Sequence, residues 1–154
     1  MKTKILILLL AAFIFNACSK DKFQNKPVLK FKSVSTNDIK SGDEVIFNIE
    51  VSDKQGDLIS DTVFYWKKVS FVSDSNNIDA TAVPLPTDLP GIKKFDAEFQ
   101  LMLINGSGYG SGTDISPATI RRINDSCVFK FWAKDLANNV SDTITSPPII
   151  IQHS

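Results

Sequence analysis

The chain reads as an all-β protein, a sandwich of two packed antiparallel sheets with about seven strands, preceded by an export leader. Three observations carry that reading. Apolar and polar residues alternate with period two along several stretches, the spacing of half-buried strands. Clusters of Gly, Pro, Asn, Asp and Ser break those stretches at short intervals, as turns do. After the leader, no amphipathic helix of useful length and no internal repeat can be traced.

The leader comes first. In MKTKILILLLAAFIFNAC, Lys2 and Lys4 form a basic start, Ile5 to Phe15 is unbroken apolar sequence, and small Ala17 precedes Cys18. That order describes an export signal. A membrane-spanning helix would need about 20 apolar residues, more than this run supplies. Phe15-Asn16-Ala17-Cys18 resembles a bacterial lipobox, with Phe15 and Asn16 standing where Leu and Ala or Ser are usual. The resemblance implies that residues 1–17 are a lipoprotein signal peptide and that Cys18 becomes the lipidated first residue. Residues 18–27 would then be a polar tether and 28–152 the folded domain. Each buried methylene contributes about 0.8 kcal/mol and one acyl chain anchors only marginally, so the three chains of such a lipoprotein would hold it on its membrane. Ser19-Lys20-Asp21-Lys22 matches in part the charged stretch that sends Bacteroidetes lipoproteins to the cell surface. The expected address is the bacterial outer membrane, with its periplasmic face and the cell surface both open.

Removing residues 1–17 from 154 leaves 137, enough for one domain with a real core. The full chain balances 17 basic against 17 acidic residues, and loss of Lys2 and Lys4 makes the mature chain mildly acidic. Nucleic-acid binding, which calls for a basic excess, is not expected. With Cys18 acylated, Cys127 has no partner for an internal disulfide, so packing alone must hold the fold. Between Ser126 and Val128-Phe129, Cys127 reads as a small buried hydrophobe.

From Val28 onward, Leu29, Phe31 and Ser33 share one side of a strand and Lys30 and Lys32 the other. Residues 44–52 follow as the clearest strand, with Val45, Phe47, Ile49 and Val51 inward. After the turn 53–57, residues 61–73 read as the next strand, with Phe64 and Trp66 on one face and Val63, Tyr65 and Lys67 on the other. Residues 74–91, with Pro84, Pro86 and Pro90, read as a long connection with room for one short edge strand. Residues 93–104 alternate again, with Phe95, Ala97, Phe99, Leu101 and Leu103 inward. Residues 105–113 are glycine-rich, and 115–126 fit a helical turn or a strand fragment equally. Residues 127–134 form a strand with Cys127, Phe129, Phe131 and Ala133 inward. Residues 140–151 close the chain, interrupted by Pro147-Pro148.

The segment CVFKFWAKDLANNVSDTITSPPIIIQ resembles the last hairpin of bacterial immunoglobulin-like and fibronectin-III-like domains, with Asn138 in place of a turn glycine. SGDEVIFNIEVSDKQGD, residues 41–57, resembles their second strand and turn. The resemblance implies an immunoglobulin-like order in which 44–52 is strand B, 61–69 strand C, 93–104 strand E, 127–134 strand F and 140–151 strand G. Trp66 would then pack near Cys127, with Phe47 or Ile49 where a disulfide-bonded immunoglobulin carries its other cysteine.

Catalytic chemistry finds little to work with, because the single histidine, His153, lies one residue from the end. The glycine run 106–112 lacks the Lys-Ser/Thr of a phosphate-cradling loop. A non-catalytic binding or scaffolding module for an envelope protein assembly is therefore expected, with a carbohydrate-binding module as the alternative. A hydrolase working through carboxylates alone is the reading of a different class. Two constellations are candidates for binding. Under the implied topology Asp53, Asp57, Asp135 and Asn138 lie on turns at one end of the sandwich, where their oxygens could hold Ca²⁺ or simply close the turns. Tyr65 and Lys67 of strand C lie beside Lys130 and Trp132 of strand F on an outer face, a platform for a protein or a sugar ring. Tyr109 in the glycine-rich loop is the further aromatic for a sugar. Asp61-Thr62-Val63 and Asp142-Thr143-Ile144 also resemble the O-glycosylation signal of Bacteroidetes exported proteins.

Overall fold

The computed structural model describes residues 26–54, 63–84, 95–106, 113–116 and 123–153. Cys18, Asp57, Tyr109 and the Asp61-Thr62 pair lie outside the described residues. Nine strands are present among those described: β1 (Val28–Val34), β2 (Asp38–Ile39), β3 (Glu44–Asp53), β4 (Val63–Ser70), β5 (Ile78–Pro84), β6 (Phe95–Ile104), β7 (Asp125–Lys134), β8 (Ile144–Thr145) and β9 (Ile149–Ile151). They form two sheets, β1-β3-β6 and β2-β9-β7-β4-β5, with β8 also on β7. The chain is an immunoglobulin-like β-sandwich: β2 runs parallel to β9, and the other pairings are antiparallel. Cys127 is a free, buried thiol.

The sheets meet through one aromatic layer. Phe47 of β3 lies 4.8 Å from Phe129 and 5.3 Å from Phe131 of β7, centroid to centroid. Phe31 and Phe64 stack on Phe131 at 6.4 and 6.0 Å, and Trp66 lies 6.0 Å from Phe129. Val45, Ile49, Val51, Leu103, Ile115, Ile149 and Ile151 fill the space around them. These contacts also orient the two sheets: β3 and β7 run the same way, so Asp53 and Lys134 end at one pole. Glu44 and Asp125 lie at the opposite pole.

Several expectations need correction in detail. On β1 the register slips between Phe31 and Ser33, so that Phe31 faces Ile49 but Val34 faces Phe47. This extra residue reverses the alternation: Ser33 is exposed and Val34 packs on the core instead. The 74–91 connection holds a 3-10 turn (Asp74–Asn76) and the seven-residue edge strand β5, whose last residue is Pro84. An edge accommodates a proline because one side of the strand needs no ladder. The strand expected over 61–73 ends at Ser70. Strand F begins at Asp125, two residues earlier than expected. Trp66 stands opposite Phe131, whereas Cys127 stands opposite Ser70 nearer the Asp125 pole, so the two are not neighbours in register.

Strand G is broken into β8 and β9, with an isolated bridge from Val140 to Lys134. The chain repairs the gaps with buried serines. Ser146 Oγ accepts from the Phe129 N–H at 2.9 Å, and Ser141 Oγ accepts from the Ala133 N–H at 3.0 Å. Each hydroxyl stands in for a missing ladder carbonyl, and Ser146 does so directly before Pro147-Pro148, which have no N–H to give a ladder. At the other pole, buried Asn105 donates to the carbonyls of Ile39 and Gln152 and ties β2 and β9 to the end of β6.

Phe131 touches aromatic rings from three other strands, so Phe131→Ala should cost about 3–5 kcal/mol. Urea unfolding of the two proteins measures this, and a loss below about 1 kcal/mol would show that the layer does not hold the sheets together.

Candidate functional site

Because Phe129, Phe131 and Ala133 point inward, Val128, Lys130 and Trp132 point outward on β7. The same parity puts Tyr65, Lys67 and Val69 outward on β4. Register then aligns three cross-strand rows: Tyr65 with Trp132, Lys67 with Lys130, and Val69 with Val128. One row further on, the Phe71 N–H donates to the Ser126 carbonyl, and Ile150 of β9 lies opposite Ser126. Phe71 is 62% exposed and Ile150 45% exposed. The outer face of the five-strand path thus runs from an aromatic pair, across two lysines, to an apolar end.

The sequence-derived platform residues Tyr65, Lys67, Lys130 and Trp132 are therefore brought together. The aromatic geometry differs from the flat surface expected. Tyr65 and Trp132 stack on each other, 5.4 Å between centroids with planes 5° apart. Directly opposite residues on adjacent strands have Cβ atoms about 4.5–5.5 Å apart, which is the spacing of two stacked rings. Each ring gives one face to the other, and that face is unavailable to a sugar.

The two lysines are the electrostatic anomaly of the surface. Like charges directly opposite each other on a sheet repel. Among the described residues Lys67 and Lys130 have no carboxylate within ion-pair distance. The outer face of the three-stranded sheet shows the contrasting arrangement. There Lys30 and Lys32 flank Glu50 at 2.6 and 3.1 Å. Hydrogen bonds from both hold the Glu50 carboxyl below its usual range, and the bond to Glu50 raises Lys30 in turn.

Of the four residues expected to hold calcium, Asp53, Asp135 and Asn138 are described. Asp53 and the turn after β7 do lie at the same pole, and Asp57 lies outside the described residues. Among the described residues, no three His, Cys, Asp or Glu side chains form a group able to hold a metal ion. Asp135 gives both carboxylate oxygens to Asn139, accepting its backbone N–H at 2.7 Å and its side-chain amide at 2.8 Å. Asn138 adopts φ +68°, the left-handed conformation that glycine takes up without steric cost. Asn138→Gly should keep or slightly raise stability, and Asn138→Val should lower it by about 1–2 kcal/mol. Matched denaturant curves test this, and equal midpoints for the two variants would contradict it.

A second cluster went unnoticed in the sequence. Lys68 has the inward parity of Phe64 and Trp66, and Asp125 has that of Cys127. Both side chains are fully buried, with Lys68 Nζ 3.0 Å from Asp125 Oδ2. The ammonium donates to the Ile115 carbonyl at 3.1 Å, and the Ser70 hydroxyl donates to Asp125 Oδ1. Ser70 Oγ also accepts from the backbone N–H groups of Val72 and Ser73. The inward parity of Lys68 with Phe64 and Trp66 was the available signal, because it places a lysine where apolar residues are usual; Asp125 gave none until β7 was seen to begin two residues earlier than expected. Cys127 lies close by: burial pushes its thiol up to about 12, with the Lys68 ammonium opposing and the Asp125 carboxylate reinforcing the rise. At neutral pH the thiol is therefore protonated and weakly nucleophilic. The folded protein should react with a maleimide at Cys127 far more slowly than the urea-unfolded protein; equal rates would refute this.

No family model matches the chain, and no curated protein matches it. Among solved structures it is similar to Spo0M, a sporulation control protein from Bacillus subtilis, with TM-score 0.36 and 9% identity. That match covers 83% of this chain and 50% of the other, so the chain spans half the length of that protein. It is also similar to a Niemann-Pick type C2 protein from Japanese carpenter ant, with TM-score 0.40 and 12% identity over 81% of this chain and 93% of that one. At these scores the likeness assigns no function to the chain.

Proposed function

We propose that this chain is a membrane-tethered, non-catalytic immunoglobulin-like module that docks an envelope protein through the outer face of the β9-β7-β4 strands. The observation that carries this reading is the facing, unmatched pair Lys67 and Lys130, set between the Tyr65–Trp132 stack and the exposed Phe71 and Ile150. Aromatic residues are enriched in protein interfaces, where they act as anchors. Carboxylates on a partner would relieve the lysine repulsion, so complementary charge would favour association. In this reading Cys18 carries the lipid anchor, residues 18–27 are the tether, and the module works at the bacterial outer membrane.

Carbohydrate binding is the second reading, favoured by the aromatic content of the same face. Trp132 and Tyr109 are its test residues.

The experiment is a crosslinked pull-down of the full-length lipoprotein from its own envelope, comparing wild type with Trp132→Ala and with Lys67→Glu/Lys130→Glu. Stoichiometric partners should be recovered with wild type and lost by at least about tenfold with either variant, a shift of about 1.4 kcal/mol. Melting temperatures should change by only a few degrees. Equal recovery with both variants would exclude this face, and binding to purified glycans that is lost with Trp132→Ala would favour the second reading.

A further inference from the structure

A lysine and an aspartate sealed together inside a sandwich core are costly to keep as ions. Removing two charges from water costs several kcal/mol for each ion even after relaxation, and their attraction offsets this only when every remaining polar position is satisfied. Here one position is not. Asp125 Oδ1 is held by the Ser70 hydroxyl, and Lys68 Nζ is held by the Ile115 carbonyl. Oδ2, the oxygen nearest Nζ at 3.0 Å, has no hydrogen-bond partner of its own among the described residues. The contact between nitrogen and Oδ2 is close, but its direction is not that of a hydrogen bond.

We propose that Lys68 and Asp125 condense into a side-chain amide, an intramolecular isopeptide bond that staples β4 to the first residue of β7. The atoms balance without any co-reactant. A proton passes from the Nζ ammonium to Oδ2, leaving a neutral amine beside a neutral carboxylic acid. The amine lone pair attacks Cγ and the C–N bond forms. The C–Oδ2 bond then breaks, and Oδ2 departs as water with a second proton from the nitrogen. Nothing is oxidised or reduced.

The surroundings suit the product as well as the pair. The amide N–H keeps the Ile115 carbonyl as its acceptor, and Oδ1, now the amide oxygen, keeps the Ser70 hydroxyl as its donor. The oxygen without a partner is the one that leaves. Two buried charges disappear. Amine and acid do not condense freely in water, but groups fixed in contact react with effective molarities of about 10⁵–10⁸ M. A dry site also keeps out the water that would reverse the step. Both side chains are fully buried, and Ile115, Cys127 and Phe129, each fully buried, lie around them.

The test is peptide mass mapping of the full-length protein, purified in detergent and shown to melt cooperatively. A branched peptide pair joined through Lys68 and Asp125, lighter than the two separate peptides by one water, is the expected result. Lys68→Arg keeps a positive charge against Asp125 without a nucleophilic amine, and should give only the two unlinked peptides. Should that variant fail to fold, the wild-type map still decides. Unlinked peptides of full mass from folded wild-type protein would overturn the proposal and leave an ordinary buried ion pair.

Discussion

The interleaving of Phe31, Phe47, Phe64, Trp66, Phe129 and Phe131 between the two sheets is the constraint from which the rest of the molecule follows. The sandwich has no disulfide to clamp it, so these rings must keep the sheets in register by shape. Once Phe129 and Phe131 are committed inward, the pleat leaves Lys130 and Trp132 no choice but the outer face. The matching commitment of Phe64 and Trp66 sends Tyr65 and Lys67 to the same surface. The candidate docking face is thus the reverse side of the core, and its composition is set by residues that never touch a partner.

The two outer faces and the interior treat charge differently. On the outside of the three-stranded sheet, Glu50 answers Lys30 and Lys32, and that surface is electrostatically settled. On the opposite outer surface Lys67 and Lys130 face each other with no carboxylate to answer them among the described residues. Inside, Lys68 and Asp125 answer each other so closely, and so far from water, that ionic attraction alone is a poor account of why they are there. Three lysine environments, on strands of both sheets, therefore have three different physical meanings, although all are simply basic residues in the sequence.

How much of this could be read beforehand depended on whether the information was local. Strict alternation made β3 and β6 legible almost residue by residue, because a period of two fixes which face is buried. Parity also placed Tyr65, Lys67, Lys130 and Trp132 together before any coordinates. What escaped was whatever breaks or extends the pattern. The bulge on β1 moved Ser33 out and Val34 in, and nothing in VLKFKSV marks the slip. Ser141 and Ser146 stood unmarked within the closing stretch 140–151, since a hydroxyl replacing a ladder carbonyl is visible only once the partner strand is beside it. Lys68 lay on the inward side of an expected strand, where charged residues are seldom buried, but Asp125 fell in the stretch 115–126, outside the strand expected at 127–134, so the pair could not be read. The mutual stacking of Tyr65 and Trp132 needed the register as well as the faces.

The parallel pairing of β2 with β9 has a mechanical consequence. Residue 28 lies at the pole where β3 and β7 end, and residue 151 at the pole where β7 begins, so the two ends of the domain leave in opposite directions. Stretching the domain between them would slide β2 and β9 lengthwise past one another. The bonds from Ile150 N–H to the Asn37 carbonyl and from Gln152 N–H to the Ile39 carbonyl would then be strained together and not one after another. A strand pair sheared in this way resists force far better than one peeled open like a zipper. A module tethered at one pole and gripped at the other would be a stiff strut under tension.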